Sequence, residues 1–403
     1  MEIRPILSTL ARHKTAAALI VLEIALSCAI ICNAVFLIAQ RTERMQRPTG
    51  LAEDQIVRIN TAGTGDNQDA LALVKQDVAA LRALPGVKAA ASLNHAPMDG
   101  SSWNTSLSVT ADQPMPTLNG GMYIGESLVE TLGLRIVAGR DFTPDEYVEY
   151  DAVKQPIIHS IIVTREAAGK LFPGQDAVGR NVYGGNPDNS PLKIVGVVER
   201  LIRPNDNGGA AAAGYSMILP VRNVQDGRFA LRTDPARRDE VLKAAVAALE
   251  RNSARRIIQD QGSFEQVKAD YYRQDRAMAW LLLSVIVALL VVTALGIVGL
   301  ASFWVQQRTK QIGVRRALGA TRGQILRYFQ TENFLLASIG IALGMVLAYG
   351  LNQLLMSRYE LPRLPLAYLP IGAVALWLLG QVAVFWPARR AASVPPAIAT
   401  RSV

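Results

Sequence analysis

Six basic side chains and no acidic one fall between Val305 and Gln330: Arg308, Lys310, Arg315, Arg316, Arg322 and Arg327. Cations clustered on a short segment do binding chemistry rather than bond-making chemistry. They grip an acidic partner surface or lie against anionic lipid headgroups. Long apolar runs flank the segment on both sides. That places it on the cytoplasmic face, where short loops rich in Lys and Arg are retained. Within it, Ile312, Arg315, Arg316 and Leu318 lie on a short amphipathic helix that stops near Gly319. Thr321 and Gln324 then form a T-x-x-Q capping box, which restarts a helix through Phe329. A rigid connection of this kind passes a push from a docked partner into the apolar segments. The alternative is plain positive charge at a lipid surface.

Other candidates lie inside the apolar runs. Glu23 precedes Ser27 by one helical turn on one face, with Cys28 and Cys32 roughly opposite. A carboxyl at that depth is costly unless it is neutral or faces protein. Glu23 and Ser27 are therefore either a functional intramembrane group or a buried contact to a neighbouring helix. Gly340, Gly344 and Ala348 form a small-residue stripe that lets helices approach closely, within the chain or between two copies. Glu332 is expected to pair with Arg327 or to cap its helix. The sequence contains no G-x-x-x-x-G-K-[ST] phosphate cradle, and no H-E-x-x-H, C-x-x-C or G-x-S-x-G motif. Its only histidines are His13, His95 and His159. No catalytic residue, metal ligand or cofactor site is expected in this chain.

The elements that must position these residues are set by hydropathy. Half of the 403 residues are apolar, and the mean hydropathy is +0.19. Four stretches, 15–39, 279–304, 331–356 and 367–386, are long enough to cross ~30 Å of hydrocarbon as helices. They divide the chain into a cytoplasmic N-terminus (1–14), an external block (40–278), the basic loop (305–330), a short external turn (357–366) and a cytoplasmic tail (387–403). Residues 41–278 carry 28 basic and 29 acidic side chains, so the net charge of +9 comes from the segments beside the spans. That distribution fits positive-inside topology and argues against nucleic acid as a partner. Trp280 and Trp304 bracket the second span about 36 Å apart, as interfacial anchors would.

The external block reads as mixed α/β. Gln55–Asn60 alternates as a strand, Asp69 to Leu84 has helical spacing, and Val87 to Leu93 is a second strand. Arg228–Thr233, Pro235–Arg251 and Arg255–Gln261 repeat the strand, helix, strand order. The outer parts, about 50–98 and 212–270, thus look like two β-α-β units. The more β-rich segment between them, about 99–211, is an inserted subdomain.

Beyond these patterns, the segment Val305–Leu336 (VQQRTKQIGVRRALGATRGQILRYFQTENFLL) resembles FtsX-like permeases of the macrolide-exporter family of ABC transporters. The ending WPARRAASVPPAIATRS is similar to that family's tail. LGLRIVAGRDFTPDE and IIVTREAAGKLFPGQDAVGR resemble its external core domain. The resemblance implies a type VII ABC permease: a four-helix α-helical membrane protein of the bacterial inner membrane, with a large α/β periplasmic domain and both termini cytoplasmic. It implies a coupling helix at Gln306–Leu318 that docks on a separate ABC ATPase through Arg308, Lys310, Gln311, Ile312, Gly313, Arg315, Arg316, Leu318 and Gly319. ATP and magnesium would be bound by that ATPase. Such permeases work in pairs, so a homodimer or a heterodimer is expected, along with a periplasmic adaptor and an outer-membrane duct. The implied function is mechanotransmission: ATP-driven motion that works the external domains and exports macrolides, antimicrobial peptides, lipoproteins or similar cargo. Gln311 departs from the family, which usually has Glu there. A non-transporting regulator of a cell-wall hydrolase and a peptide sensor are the alternatives.

Overall fold

The computed structural model describes residues 14–63, 69–100, 103–151, 154, 156–205, 212–359, 363–393 and 395. The expected N-terminal segment up to His13 and the tail from residue 396 lie outside that set. The chain forms two compact units, one of residues 1–45 with 274–403 and one of residues 46–273.

The first unit is a helical bundle. Its four long helices are Lys14–Met45, Arg273–Gln307, Arg322–Tyr359 and Leu369–Ala392, with a short helix, Thr309–Ala317, between the second and third. The first three expected spans fall inside longer helices, and the fourth, expected from 367, begins as a helix at Leu369 and runs on to Ala392. At 1.5 Å per residue, the 32-residue first helix is about 48 Å long. Its backbone hydrogen bonds continue into the charged residues that end the apolar run. Arg41 and Arg44 there both pair with Asp275, at the start of the second helix. Residues 40–45 and 274–278 therefore belong to the bundle rather than to the external block. The bundle core runs along the first helix through Ile20, Ile24, Cys28, Ile31, Cys32 and Phe36, packed on Ile286, Ile297, Ile341, Leu376 and Val384.

In the second unit the chain runs β1 (Ile56–Gly63), α1 (Ala70–Arg82) and β2 (Val87–Ser92). It then passes through β3 (Asn104–Leu107), β4 (Leu118–Ile124), α2 (Leu128–Leu132), β5 (Ile136–Gly139), β6 (Val148–Glu149), β7 (Ser160–Thr164), α3 (Arg165–Leu171), β8 (Asn181–Val182), β9 (Leu192–Val198), β10 (Ser216–Leu219) and β11 (Val221–Arg222). It returns with β12 (Arg228–Thr233), α4 (Arg238–Asn252), β13 (Arg256–Ser263) and α5 (Phe264–Tyr271).

Two main sheets and a parallel two-stranded pair, β11-β6, result. The smaller main sheet has the order β13-β1-β12-β2, and every neighbouring pair in it is antiparallel. The two expected β-α-β units are thus interleaved: β12 lies between β1 and β2, and β1 lies between β13 and β12. This is the split βαβ arrangement of ferredoxin-like folds. Val74, Val78 and Leu81 of α1 pack with Val241, Ala245 and Leu249 of α4 over Val57, Ile59, Phe229 and Leu231. The larger sheet is mixed, with the order β3-β4-β10-β7-β9-β5 and β8 paired to β9. Because β10 pairs with both β4 and β7, the inserted part runs past residue 219, beyond the expected edge near 211. Local periodicity marks a strand but not the sheet that receives it.

The crossing between the sheets is held by side chains. Asn94 accepts from the Ile124 amide at 3.0 Å and donates to the Met122 carbonyl at 2.9 Å. Arg228 donates to the Asn94 carbonyl. His95 is fully buried beside them, edge-on to Tyr123 with ring centroids 4.6 Å apart. Burial and then the nearby Arg228 charge hold its imidazole pKa down to about 3.

Candidate coupling site

The short helix Thr309–Ala317 starts where the second long helix breaks at Arg308, whose backbone leaves helical geometry at φ −100°, ψ 10°. It stops at Gly319, which adopts φ +98°. The Ala320 amide reaches back to the Arg315 carbonyl at 3.0 Å, and the Gly319 amide reaches the Arg316 carbonyl at 3.1 Å. This is a Schellman stop, and glycine takes its left-handed position without the Cβ clash other residues would meet. The capping box then restarts the chain: the Thr321 amide donates to Gln324 Oε1 at 2.8 Å, and the Gln324 amide donates to Thr321 Oγ1 at 3.3 Å.

The helix has two faces. Ile312 and Gly313 are buried, and Ile312 packs with Val305, Ile325, Phe329, Ala388, Ala391 and Ala392. Lys310, Gln311, Val314, Arg315 and Leu318 are exposed, Leu318 at 83%. Arg315 lies over the Tyr328 ring, 5.0 Å from its centroid. The outward surface is therefore two cations and an amide around an apolar pair, Val314 and Leu318. Such a surface suits a groove with an apolar floor and an acidic rim.

Two basic residues assigned to docking point inward instead. Arg308 Nη1 donates to both oxygens of Glu332, at 3.0 and 2.9 Å, and the two side chains are 9% and 1% exposed. Arg316 Nη1 donates to the Ala392 carbonyl at 3.1 Å. Glu332 thus pairs with Arg308 and not with Arg327. Trp304 is also turned in, and Arg308 lies over its ring at 5.5 Å, so it is not the lipid-facing anchor its spacing suggested; Trp280 remains 70% exposed. The cause is helix rotation. Spacing gives a residue's height along a helix, whereas neighbouring helices set which way it points. Sequence spacing assigns Glu332 the wrong partner and passes over Asn333, beside it inside the bundle. A single acid and an amide in an apolar run are the only signals available.

The small-residue stripe faces the first helix. A Cβ at Gly340 would meet Ile24, and one at Gly344 would meet Cys28 Cβ at 2.5 Å. Ala348 is buried, and its carbonyl accepts from Asn33 Nδ2 at 3.2 Å. The stripe therefore packs within the chain. Ser27 and Thr293 hydroxyls are 2.9 Å apart, and the Glu23 carboxylate lies against Gly296 on the same neighbouring helix.

Four long apolar helices joined to a large α/β domain of periplasmic type define a multi-pass membrane protein of the permease kind. Residues 17–249 match the MacB-like periplasmic core domain, and residues 283–396 match the FtsX-like permease C-terminal domain. The chain belongs to this MacB-like, FtsX-like family of ABC-transporter permeases. The macrolide export ATP-binding/permease protein MacB of Chromobacterium violaceum is 26% identical over 289 residues, covering 68% of this chain and 42% of that protein. MacB of Campylobacter jejuni is 26% identical over 409 residues, covering 96% and 59%. The uncharacterized ABC transporter permease YknZ of Bacillus subtilis is 25% identical over 297 residues, covering 71% and 70%. This chain therefore spans about half the length of the MacB relatives it matches. Among solved structures, the periplasmic region of MacB from Actinobacillus actinomycetemcomitans aligns at 12% identity and TM-score 0.33, over 56% of this chain and 97% of that one.

Proposed function

We propose that this chain is the membrane subunit of a mechanotransmitting ABC transporter. A nucleotide-binding partner outside these 403 residues binds ATP and magnesium and docks on the exposed face of helix Thr309–Ala317. Its movement is passed through the bundle to the α/β domain, which handles hydrophobic or peptide-like cargo outside the membrane. The inner membrane is its place, with the basic loop and both termini in the cytoplasm. Two copies, or one copy and a related chain, make the working unit, with a periplasmic adaptor and an outer-membrane duct completing the path. The observation that carries the reading is Leu318. It stands 83% exposed at the end of a cationic helix and joins Val314, 50% exposed, in an apolar patch rimmed by polar groups, the composition of a contact surface.

A photocrosslinking residue at Leu318 is expected to capture a nucleotide-binding protein in cells, whereas one at the exposed Leu343, on the third long helix, is not. Leu318→Asp should weaken that partner's association at least tenfold. Capture of a protein with no nucleotide-binding activity would end the reading. Normal cargo export with a cell-wall hydrolase left inactive in a deletion strain would favour a regulator instead.

A further inference from the structure

We infer that the Arg308–Glu332 pair is the strut that makes the docking helix and the third long helix one moving body. The inference rests on the docking reading above and adds the residues that carry the motion inward.

The covalent links at the two ends of the docking helix are weak levers. One is the backbone break at Arg308. The other is Gly319, with left-handed φ and nothing within 4 Å of where its Cβ would stand. That turn is held by backbone and capping bonds local to residues 315–324, and no side chain packs against Gly319 to brace the two helices there. The lateral contact through Ile312 is apolar. It resists separation, but being non-directional it permits sliding. The ion pair supplies what these lack. One guanidinium nitrogen meets both carboxylate oxygens, a charge-assisted contact that holds the two helices at a set distance where the apolar one does not. Arg308 is the residue immediately before the helix, and its carbonyl accepts from the Ile312 amide at 2.9 Å. Glu332 sits well inside the third helix, beyond the capping box. The strut therefore bypasses the turn at Gly319.

Its surroundings favour this role over simple stabilisation. Arg308 Nη2, Trp304 Nε1 and Asn333 Nδ2 are buried without a hydrogen-bond partner among the described residues. Trp304, Glu332 and Asn333 border a cavity of about 10 Å3. A pair kept for stability alone would be expected to satisfy its neighbours, because a buried polar group left unbonded is costly.

The test needs no nucleotide-binding partner, so its failure is distinct from failure of the docking reading. The full chain in nanodiscs, with Cys28→Ala and Cys32→Ala, receives spin labels at Lys310→Cys and Leu343→Cys. The parent is expected to give one narrow distance distribution. Glu332→Gln should at least double its width, and Arg308→Lys, which keeps a charge pair, should not. An unchanged width in Glu332→Gln overturns the inference. Hydrogen exchange on the unsubstituted chain decides the matter if that variant does not fold. Amides 312–317 should exchange within tenfold of amides 326–333, and a larger gap overturns it.

Discussion

Two arginine–carboxylate pairs are equally buried in this protein and are built differently. In the external domain, Asp77 of α1 accepts from Arg256 Nη1 at 3.0 Å, from Asn252 Nδ2 at 2.9 Å and from Arg256 Nη2. Arg256 also donates to the Leu249 carbonyl at 2.7 Å. Together these bonds tie the two helices lying on the sheet to each other and to the start of β13. In the bundle, Glu332 meets a single nitrogen of Arg308, and three donors nearby lack partners among the described residues. Burial alone therefore does not define what an ion pair does. The external network ties three elements together at once, whereas the bundle pair is a single contact between two helices.

Matched isosteric changes expose that difference. Asp77→Asn removes the charge from the external network and leaves Arg256 buried, so a loss of about 3–5 kcal/mol in unfolding free energy is expected. Denaturant unfolding followed by external-domain tryptophan or circular dichroism reads it. Acidification should strain the same domain through His95. Its pKa in the fold is about 3, below its unfolded value near 6.5. The native state thus binds fewer protons below that value, and stability is full above pH 6.5 and falls as pH drops toward 3. Between pH 7 and pH 5 the loss is about 2 kcal/mol, and His95→Phe should flatten it.

Smaller effects are expected in the bundle. Gly344→Ala drives a Cβ into Cys28 and should lower stability in detergent by about 1–2 kcal/mol. Gly350→Ala, with open space around it, should be neutral or slightly stabilising. Glu332→Gln leaves the buried Arg308 with one neutral acceptor and is expected to cost about 1.5–3 kcal/mol in the same assay. A cost equal to that of Asp77→Asn would erase the contrast between the two pairs.

Much of the architecture was legible along the chain. Apolar runs located the four long helices, because a hydrocarbon-length segment has to be apolar throughout. Thr321 with Gln324 announced a helix start, Gly319 a helix stop, and Asp69 the start of α1, because capping is settled within a few residues. The basic loop revealed the short helix Thr309–Ala317, but not which of its cations face out. Arg308 and Arg316 looked like Lys310 and Arg315 until the bundle fixed the rotation of each helix.

From its sequence alone, the protein's membrane helices, its two-part external domain and the location of the short helix Thr309–Ala317 were determined, since each depends on short-range periodicity or capping. Tertiary structure alone decided that β12 inserts between β1 and β2, that Gly340 and Gly344 serve the first helix, and that Arg308 meets Glu332 24 residues away. Those pairings depend on which surfaces fit when distant segments pack, and periodicity gives a residue its face without naming the partner opposite.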